Sequence, residues 1–519
     1  MTRKYPVGVQ VFEDIRKRNL MYVDKTRYIY DLAHLGGRYV FLSRPRRFGK
    51  TLLVSTMETY FQGRRELFED LAIGGLETEW RKHPVLRFDL STVKASNLET
   101  LEQNLDRVLR RLEETWGRDE ADEGLSPRIE GLITRAHEQT GERAVVLIDE
   151  YDAPLLNVVH DPERLSAFRE VMREFYSPLK AMEPHLRFVF LTGITKFSQL
   201  SVFSELNNLQ NVSMLPAFAG VCGITVEELG GPLAPDVALL AERMGVSEEG
   251  CQAALKAKYD GYRFCDGSPD IYNPYSLVNA LQNGRIGPYW FSSGTPSSLV
   301  RMLKASDFDI PELEGVEALA ATFDAPTEGA ASLVPFMYQA GYLTIKSYDD
   351  DFDTYTLGVP NEEVREGLYQ ALLPAYAPVP DLERDAFAVG FARAVRSDDI
   401  DAALRCLRSF LAAIPYDMAP KCEKDFQTVL FLAFKVAGIR VSSEVRTSVG
   451  RVDLVAESAS AVYVMELKYG GTAEEALAQV DSKGYCVPWE ADGRRVVKVG
   501  ASFDPEQRTV AEGWVVQEA

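Results

Sequence analysis

Asp453 and the triplet Glu466-Leu467-Lys468, separated by residues 454–465, constrain this chain more than any other feature. The residues on either side, 451–456 and 461–467, are rich in valine and other strand formers. Between them lies the small, polar stretch Glu457-Ser458-Ala459-Ser460. The pattern predicts a β-hairpin. With Ala456 facing Ala461, Asp453 faces Val464, and the alternation of side chains puts Glu466 and Lys468 on Asp453's face. A loop one residue longer or shorter would reverse that relation. Two carboxylates and an ammonium in one patch suit a hard divalent cation beside a polarised water or a phosphate. The competing reading is a solvated charge pair, the usual fate of such residues. Against it, Glu466 interrupts the apolar run Val462-Tyr463-Val464-Met465, where a carboxylate needs a partner or a metal.

The flanks add polar residues at consistent places. Upstream, Phe426, Val429, Leu430, Leu432, Ala433, Phe434 and Val436 predict an apolar helix, with Glu423 in its first turn and Gly438 as its stop. Downstream, Gly470-Gly471 breaks the strand and Thr472-Ala473-Glu474-Glu475 reads as a capping box. The helix that follows carries Gln479 and Lys483 on one face, Tyr485 comes next, and Val497-Lys498-Val499 suggests another strand. The expected order is helix, strand, strand, helix, strand. That order, with Glu423, Asp453, Glu466-x-Lys468 and Gln479, resembles the PD-(D/E)XK nuclease superfamily, in the branch fused to an AAA-ATPase-like domain. The resemblance implies a small C-terminal restriction-endonuclease-like α/β domain and a magnesium-dependent phosphodiesterase site. Glu423, Asp453 and Glu466 would hold Mg2+, Lys468 would orient or activate water, and Gln479 would support the site. Asp425 is the alternative to Glu423 in the same turn. Residues 406–519 contain no histidine, which excludes a histidine-metal or HNH-type nuclease there.

A second constellation lies near the N-terminus. The buried-strand pattern Tyr39–Ser43 runs into Arg44-Pro45-Arg46-Arg47-Phe48-Gly49-Lys50-Thr51 and then into an apolar helix from Leu52. Strand, loop, Gly-Lys-Thr and helix form the context of a P-loop, with Arg44 where the first glycine usually stands. There, backbone N–H groups and a helix N-terminus cradle phosphates, Lys50 reaches the β- and γ-phosphates, and the Thr51 hydroxyl meets Mg2+. Arg46 and Arg47 could contact phosphates or be solvated. The apolar run Ala144–Ile148 ends in Asp149-Glu150. Asp149 would hold magnesium through water and Glu150 would activate the hydrolytic water; the alternative is a buried strand ending in an acidic turn. Further strands are expected at Val85–Leu90 and Arg187–Gly193. Thr192, at the end of the latter, sits where a γ-phosphate sensor would, unless it is part of a simple turn. Strands alternating with helices predict a parallel sheet covered on both faces.

This half resembles the AAA-ATPase-like family through Pro6-Val7-Gly8, Tyr22-Val23-Asp24-Lys25-Thr26, the Arg44–Thr51 loop and Leu147-Ile148-Asp149-Glu150-Tyr151-Asp152. The missing first glycine is a trait of that family. Asp24-Lys25 would seal the nucleotide site or its helix, or form a surface ion pair. Tyr259–Phe264, Ile271–Ser276 and Tyr289-Trp290-Phe291-Ser292-Ser293-Gly294-Thr295 belong to the same resemblance. Tyr338–Leu343 through Tyr355–Leu357 looks like a helix followed by a hairpin, winged-helix-like.

At 519 residues the chain exceeds one core. The expected divisions are an ATPase domain at 1–235, a helical lid and connector at 236–405, and the nuclease-like domain at 406–519. The net charge of -20 argues against indiscriminate coating of nucleic acid but not against a local groove. No signal peptide or membrane-length apolar run is present, and the six cysteines show no CxxC spacing. A cytoplasmic protein with reduced thiols and no membrane partner is the expectation. The reading as a whole is a P-loop ATPase that binds ATP and Mg2+, fused to a nuclease that cleaves nucleic acid, DNA foremost, with self-association left open. The rival is a nucleotide-switched, STAND-like binding protein whose nuclease-like domain recognises nucleic acid or a partner without cutting.

Overall fold

The computed structural model describes residues 4–196, 209–291, 297–306, 308–320, 333–416, 418, 420 and 422–519. Residues 292–295 of the Tyr289–Thr295 motif lie outside the described residues. The chain divides into two compact units, one of residues 1–294 with 315–363 and one of residues 295–314 with 364–519.

The first unit is built on a parallel sheet. Its strands are β1 (Tyr39–Ser43), β2 (Val85–Asp89), β3 (Ala144–Asp149), β4 (Leu186–Gly193) and β5 (Leu209–Asn211), in the order β2-β3-β4-β1-β5. Every neighbouring pair is parallel. Alternate residues feed two faces. Tyr39, Phe41, Leu86, Phe88, Val146 and Ile148 pack with Leu101, Leu105, Leu132 and Phe168 from helices Leu98–Trp116, Leu125–Thr140 and Pro162–Tyr176. On the other face, Phe188 of β4 meets Phe61 of helix Lys50–Phe61, ring centroids 5.3 Å apart. The sheet covered on both faces is therefore as expected, while β5 lacks the apolar run that would announce it.

Beyond the sheet, β6 (Ile224–Thr225) and β7 (Ile271–Tyr272) pair antiparallel. Helices Ala234–Met244, Glu248–Tyr259 and Pro274–Asn283 bury Val237, Leu240, Leu255, Tyr259 and Leu277 together. The last of them is capped by the Asn273 side chain, which accepts from Ser276 N at 3.1 Å, with proline in its first turn. Helix Leu333–Gln339 leads into a hairpin of β9 (Thr344–Asp349) and β10 (Thr354–Gly358), as the sequence suggests. β8 (Val316–Leu319) completes that three-stranded sheet on the β10 side.

The second unit packs helices Asp381–Arg396, Ile400–Ala412 and Glu423–Val436 with a mixed sheet. Its strands are β11 (Arg440–Arg446), β12 (Arg451–Glu457), β13 (Ala461–Tyr469), β14 (Arg495–Asp504), β15 (Thr509–Val510) and β16 (Val515–Glu518). The order is β11-β12-β13-β14-β15, with β16 also on β14. Helix Ala473–Lys483 carries the chain from β13 to the parallel β14, and its capping box is formed as expected, Thr472 Oγ1 accepting from Glu475 N at 3.1 Å. Strand β11 is absent from the sequence reading. It is an edge strand whose Arg-Val-Ser-Ser-Glu-Val-Arg carries too few apolar residues to show a pattern.

The hairpin forms with a register two residues away from the expected one. Leu454 pairs with Met465 and Val455 with Val464, so Ala456 faces Tyr463 rather than Ala461. Ser458 N donates to Ala461 O at 2.8 Å, closing a tighter turn around Ala459-Ser460. A shift of two leaves every side chain on its face.

Gly500 of β14 lies beside Glu466 in the ladder. A Cβ there would fall on the Ala473 carbonyl oxygen and within 2.9 Å of Leu477 N, so only glycine admits helix Ala473–Lys483 at this distance. Gly500→Ala should lift that helix off the sheet and destabilise the second unit by about 1–3 kcal/mol, the usual range for overpacking. Chemical denaturation compared with wild type checks this, and an unchanged midpoint would contradict it.

Candidate functional site

In the first unit, β1 ends at Ser43 and the loop turns over a buried cation. The Arg44 guanidinium, 2 % exposed, donates to Ser43 O, Ser213 O and Phe218 O at 2.8–2.9 Å and lies 4.1 Å from the Phe264 ring. Phe48 is buried against Tyr262 and Phe264, so its side chain anchors the loop and its backbone alone is available to a ligand. Arg46 and Arg47 are exposed. Arg47 has φ +67 and lies 4.3 Å from the Tyr275 ring, and Arg46 O accepts from Trp290 Nε1 at 3.1 Å. Gly49, at φ +96, opens helix Lys50–Phe61, a conformation that favours glycine. Lys50 Nζ is held by Arg44 O at 3.1 Å, Pro45 O at 3.2 Å and Glu150 Oε1 at 3.4 Å.

Asp149 ends β3 almost fully buried, and neither of its carboxylate oxygens has a hydrogen-bond partner. Burial first, then the Glu150 charge, pushes its carboxyl up to about 6; the Thr51 hydroxyl and Lys50 ammonium moderate the shift without completing a hydrogen bond. A buried carboxylate with no hydrogen-bond donor, 3.9 Å from the Arg87 guanidinium and beside a threonine hydroxyl, fits a magnesium position. Glu150 follows at φ +53, a strained conformation for a non-glycine residue. Thr192 is placed beside β1, but its hydroxyl donates to Leu42 O at 2.8 Å. Lys25 pairs with Glu228 at 2.6 Å and donates to Gly220 O, and Asp24 accepts from Thr26 N and Ala72 N, so both act as staples.

A cleft of about 700 Å³ runs over this loop. Its lining includes Pro6-Val7-Gly8, Arg46, Arg47, Gly49, Lys50, Thr51 and Glu150, all expected from the sequence, together with Val9 and Gln10. Asp89, Lys94, Asn157, Tyr275 and Asn279 also line it, and the reading gave none of them a role. Asp89 is level with Asp149 in the β2–β3 ladder, a juxtaposition no local pattern reveals. The buried Asp152 carboxylate is also new as a structural anchor. It accepts from Ile194 N, Thr195 N and Thr195 Oγ1 at 2.7–3.0 Å, tying the end of β4 to the turn after β3.

In the second unit, the β12–β13 ladder opens beyond Leu454 and Met465, and Asp453 Oδ2 accepts from Leu467 N at 2.7 Å. Glu466 is 1 % exposed and its Oε2 has no partner. Lys468 Nζ lies 3.4 Å from Glu466 Oε1 and donates to Gln479 Oε1 at 2.7 Å. Burial raises both acids. Asp453 is pushed up to about 6 against the Leu467 N–H and Lys468, and Glu466 to about 7 by burial and then by Asp453. The structure thus brings Asp453, Glu466, Lys468 and Gln479 together. Glu423 stands exposed in the first helical turn, close enough to raise Asp453, whereas Asp425 acts on Tyr376. Among the described residues no three His, Cys, Asp or Glu side chains are grouped closely enough to hold a metal as they stand. The orphaned Glu466 oxygen beside Asp453 nonetheless suits a hard cation. Lys483 is exposed, and Tyr485 is buried beside Gly450.

Residues 6–203 match the family described as "Predicted AAA-ATPase", and residues 421–513 match the PD-(D/E)XK nuclease superfamily. An uncharacterized protein from the vnfD 5' region of Azotobacter chroococcum mcd 1 is 34% identical over 525 residues, covering 99% of each chain. Among solved structures, Cdc6p from Pyrobaculum aerophilum aligns at 12% identity over 68% of this chain and 92% of its own, with a TM-score of 0.24. The ORC2 protein of Aeropyrum pernix aligns at 12% identity over 67% and 93%, with a TM-score of 0.25. Scores of this size carry no argument, and the strand order above rests on its own pairing. No helix of the described residues is long and apolar enough to cross a membrane.

The raised carboxyls of Asp453 and Glu466 set a pH dependence. Below about pH 7 a divalent cation must displace protons to bind them, so Mn2+ affinity should tighten from about pH 6 to about pH 8, by up to roughly tenfold per proton displaced per pH unit, and then level off. Without metal the sign runs the other way: groups raised on folding stabilise below the ordinary carboxylate range, and that contribution is lost as pH rises through about 6 to 7. Titration calorimetry and thermal unfolding across this range check both trends. Glu466→Gln should flatten them, and an affinity independent of pH would contradict the assignment.

Proposed function

Because the chain belongs to the family of AAA-ATPase-like proteins that carry a C-terminal PD-(D/E)XK nuclease-superfamily domain, we propose that it binds and hydrolyses ATP and cuts phosphodiester bonds in nucleic acid, DNA foremost, under nucleotide control. The observation that carries the cleavage half is Glu466, buried with an unpartnered oxygen, beside Asp453 and Lys468. Asp453 and Glu466, joined by Glu423, would hold Mg2+, which when bound polarises the phosphate and lowers the pKa of water. Gln479 holds the Lys468 ammonium at the edge of that group, where it can orient water or a phosphate oxygen. Asp453 is fixed by the Leu467 N–H, so its free oxygen is constrained in direction.

For the nucleotide half, the backbone N–H groups around Gly49 and the helix N-terminus offer donors to phosphates. Lys50 lies beside acceptors that a phosphate would replace, and Thr51 with Asp149 would hold Mg2+. Glu150 is the group available to take a proton from water. Arg46 and Arg47 line the same cleft as cations for the phosphates. Thr192 in this reading senses the γ-phosphate through β1, to which its hydroxyl is bonded. The position of Glu423, exposed and outside the acid group, favours a second reading: a nucleotide-switched binding protein that does not cut.

Cleavage of duplex DNA, single-stranded DNA and RNA with Mg2+, with and without ATP, separates the two. Lys468→Ala should lower cleavage by about 10²- to 10⁴-fold, the span of a lost acid–base group. Undiminished cleavage by that variant would sink the mechanism, and binding without cleavage by wild type would establish the second reading. Lys50→Ala should abolish ATP binding in titration calorimetry, and an unchanged isotherm would refute the nucleotide site.

A further inference from the structure

The face of β11, β12 and β13 that carries the acid group also carries a row of cations. Arg446 of β11 is directly opposite Arg451 of β12 in the antiparallel ladder. Arg451 is two residues from Asp453 and shares its face. Counting on from Leu454 opposite Met465, Asp453 falls level with Glu466 and Arg451 level with Lys468. On the other side, Glu444 takes the position opposite Asp453, between Ser443 opposite Leu454 and Val445 opposite Val452. Extended past the last β12–β13 pair, this register sets Glu444, Asp453 and Glu466 in one line and Arg446, Arg451 and Lys468 in the next, with Glu444 itself at φ +51.

Like charges directly opposite one another destabilise an antiparallel pair. Arg446 and Arg451 are exposed, and among the described residues Arg451 is eased by Glu444, whose Oε2 lies 2.9 Å from its Nε. Arg446 makes no ion pair among the described residues. In a chain of net charge -20, two arginines set side by side beside a phosphodiesterase-type acid group are a local attraction for a polyanion. They stand at the foot of a tight hairpin tip, closed by Thr447 N donating to Gly450 O at 2.8 Å, with Val449 exposed at its end. A short tip of this kind keeps the two arginine backbones paired across the ladder.

We propose that Arg446 and Arg451 seat the phosphodiester backbone of the nucleic-acid strand and deliver it to Asp453, Glu466 and Lys468. The inference rests on reading that group as a phosphodiesterase site. Arg446 and Arg451 are positioning residues in it: they bind backbone phosphates, carry no base specificity, and leave the reacting phosphate to the acid group. Glu444 holds Arg451 until a phosphate replaces it.

The test is fluorescence anisotropy of the full chain, with Ca2+ in place of Mg2+, on a fluorescein-labelled 30-base-pair DNA duplex and on single-stranded DNA and RNA of the same sequence. The variant Arg446→Ala/Arg451→Ala should weaken binding at least tenfold at low salt. It should make the slope of log affinity against log salt shallower by about 1.8 on a duplex or about 1.4 on a single strand, two phosphate contacts' worth. Arg446→Lys/Arg451→Lys should keep the slope, because it keeps the charges. In cleavage with Mg2+, the Ala variant should raise KM and leave kcat within about twofold. If the Ala pair fails to fold, Arg446→Gln alone is read in the same way for one contact. An unchanged salt slope overturns the proposal, and so does failure of wild type to bind any of the three probes. Wild type that binds with the expected slope and does not cut overturns the phosphodiesterase reading and leaves the arginine seat supported.

Discussion

Each unit buries a carboxylate in a strand and gives at least one of its oxygens no hydrogen-bond donor. Asp149 ends a wholly buried β3, and Glu466 lies within an equally buried β13. An ionised carboxylate in such a place costs several kcal/mol unless it is paired. In both units the nearest lysine divides its contacts: Lys50 among the carbonyls of Arg44 and Pro45 and Glu150 Oε1, and Lys468 between Gln479 Oε1 at 2.7 Å and Glu466 Oε1 at 3.4 Å, while Asp149 Oδ2 lies 3.9 Å from Arg87 Nη2. The carbonyl and amide oxygens fix the direction of each ammonium. The surrounding architecture serves that arrangement. The strands must be buried to hold the acids, and a helix must come close enough to aim the lysine, which at β14 requires glycine at position 500.

Much of this was legible because it is written in local pattern. The apolar runs that became β1, β3, β4 and β13 needed no tertiary information, and the capping box at Thr472 formed where its residues stood. The acid face of the hairpin was legible for a subtler reason. The turn closed two residues tighter than its composition suggested, and an even shift preserves the face while an odd one would have lost it. What was not legible depends on distant partners. β11 is polar along most of its length and is a strand only because β12 lies beside it. Phe48 reads as part of a phosphate loop, yet its ring belongs to Tyr262 and Phe264, far along the chain. Glu444 sits opposite Asp453 because of that unread strand, so no spacing rule could have found it.

Arg44 shows how a loop can manage without its usual first glycine. Glycine at such a position lets the backbone turn without a side chain in the way. Here the side chain is buried, its terminal nitrogens donate to three carbonyl oxygens, and it lies over an aromatic face, while its Nε has no partner. Two of those carbonyls, Ser213 and Phe218, belong to the segment after β5. The loop is thereby tied to a part of the unit that a glycine could not reach. The same substitution that removes conformational freedom from the turn supplies a crosslink that makes the freedom unnecessary.

The overall acidity of the chain bears on its substrate less than the total suggests. Exposed charges farther apart than about 8–10 Å are largely screened at physiological ionic strength. A phosphate approaching β12 therefore meets the rows on that face rather than the whole net charge of -20. On that face burial raises the carboxyls of Asp453 and Glu466, to about 6 and about 7, while Arg446 and Arg451 are exposed. A proton held by either raised carboxyl lowers the repulsion between that pair and a phosphate, and the arginines beside them lie open to it. Burial of the acids and exposure of the arginines are thus two parts of one electrostatic arrangement, set by the alternation of β12.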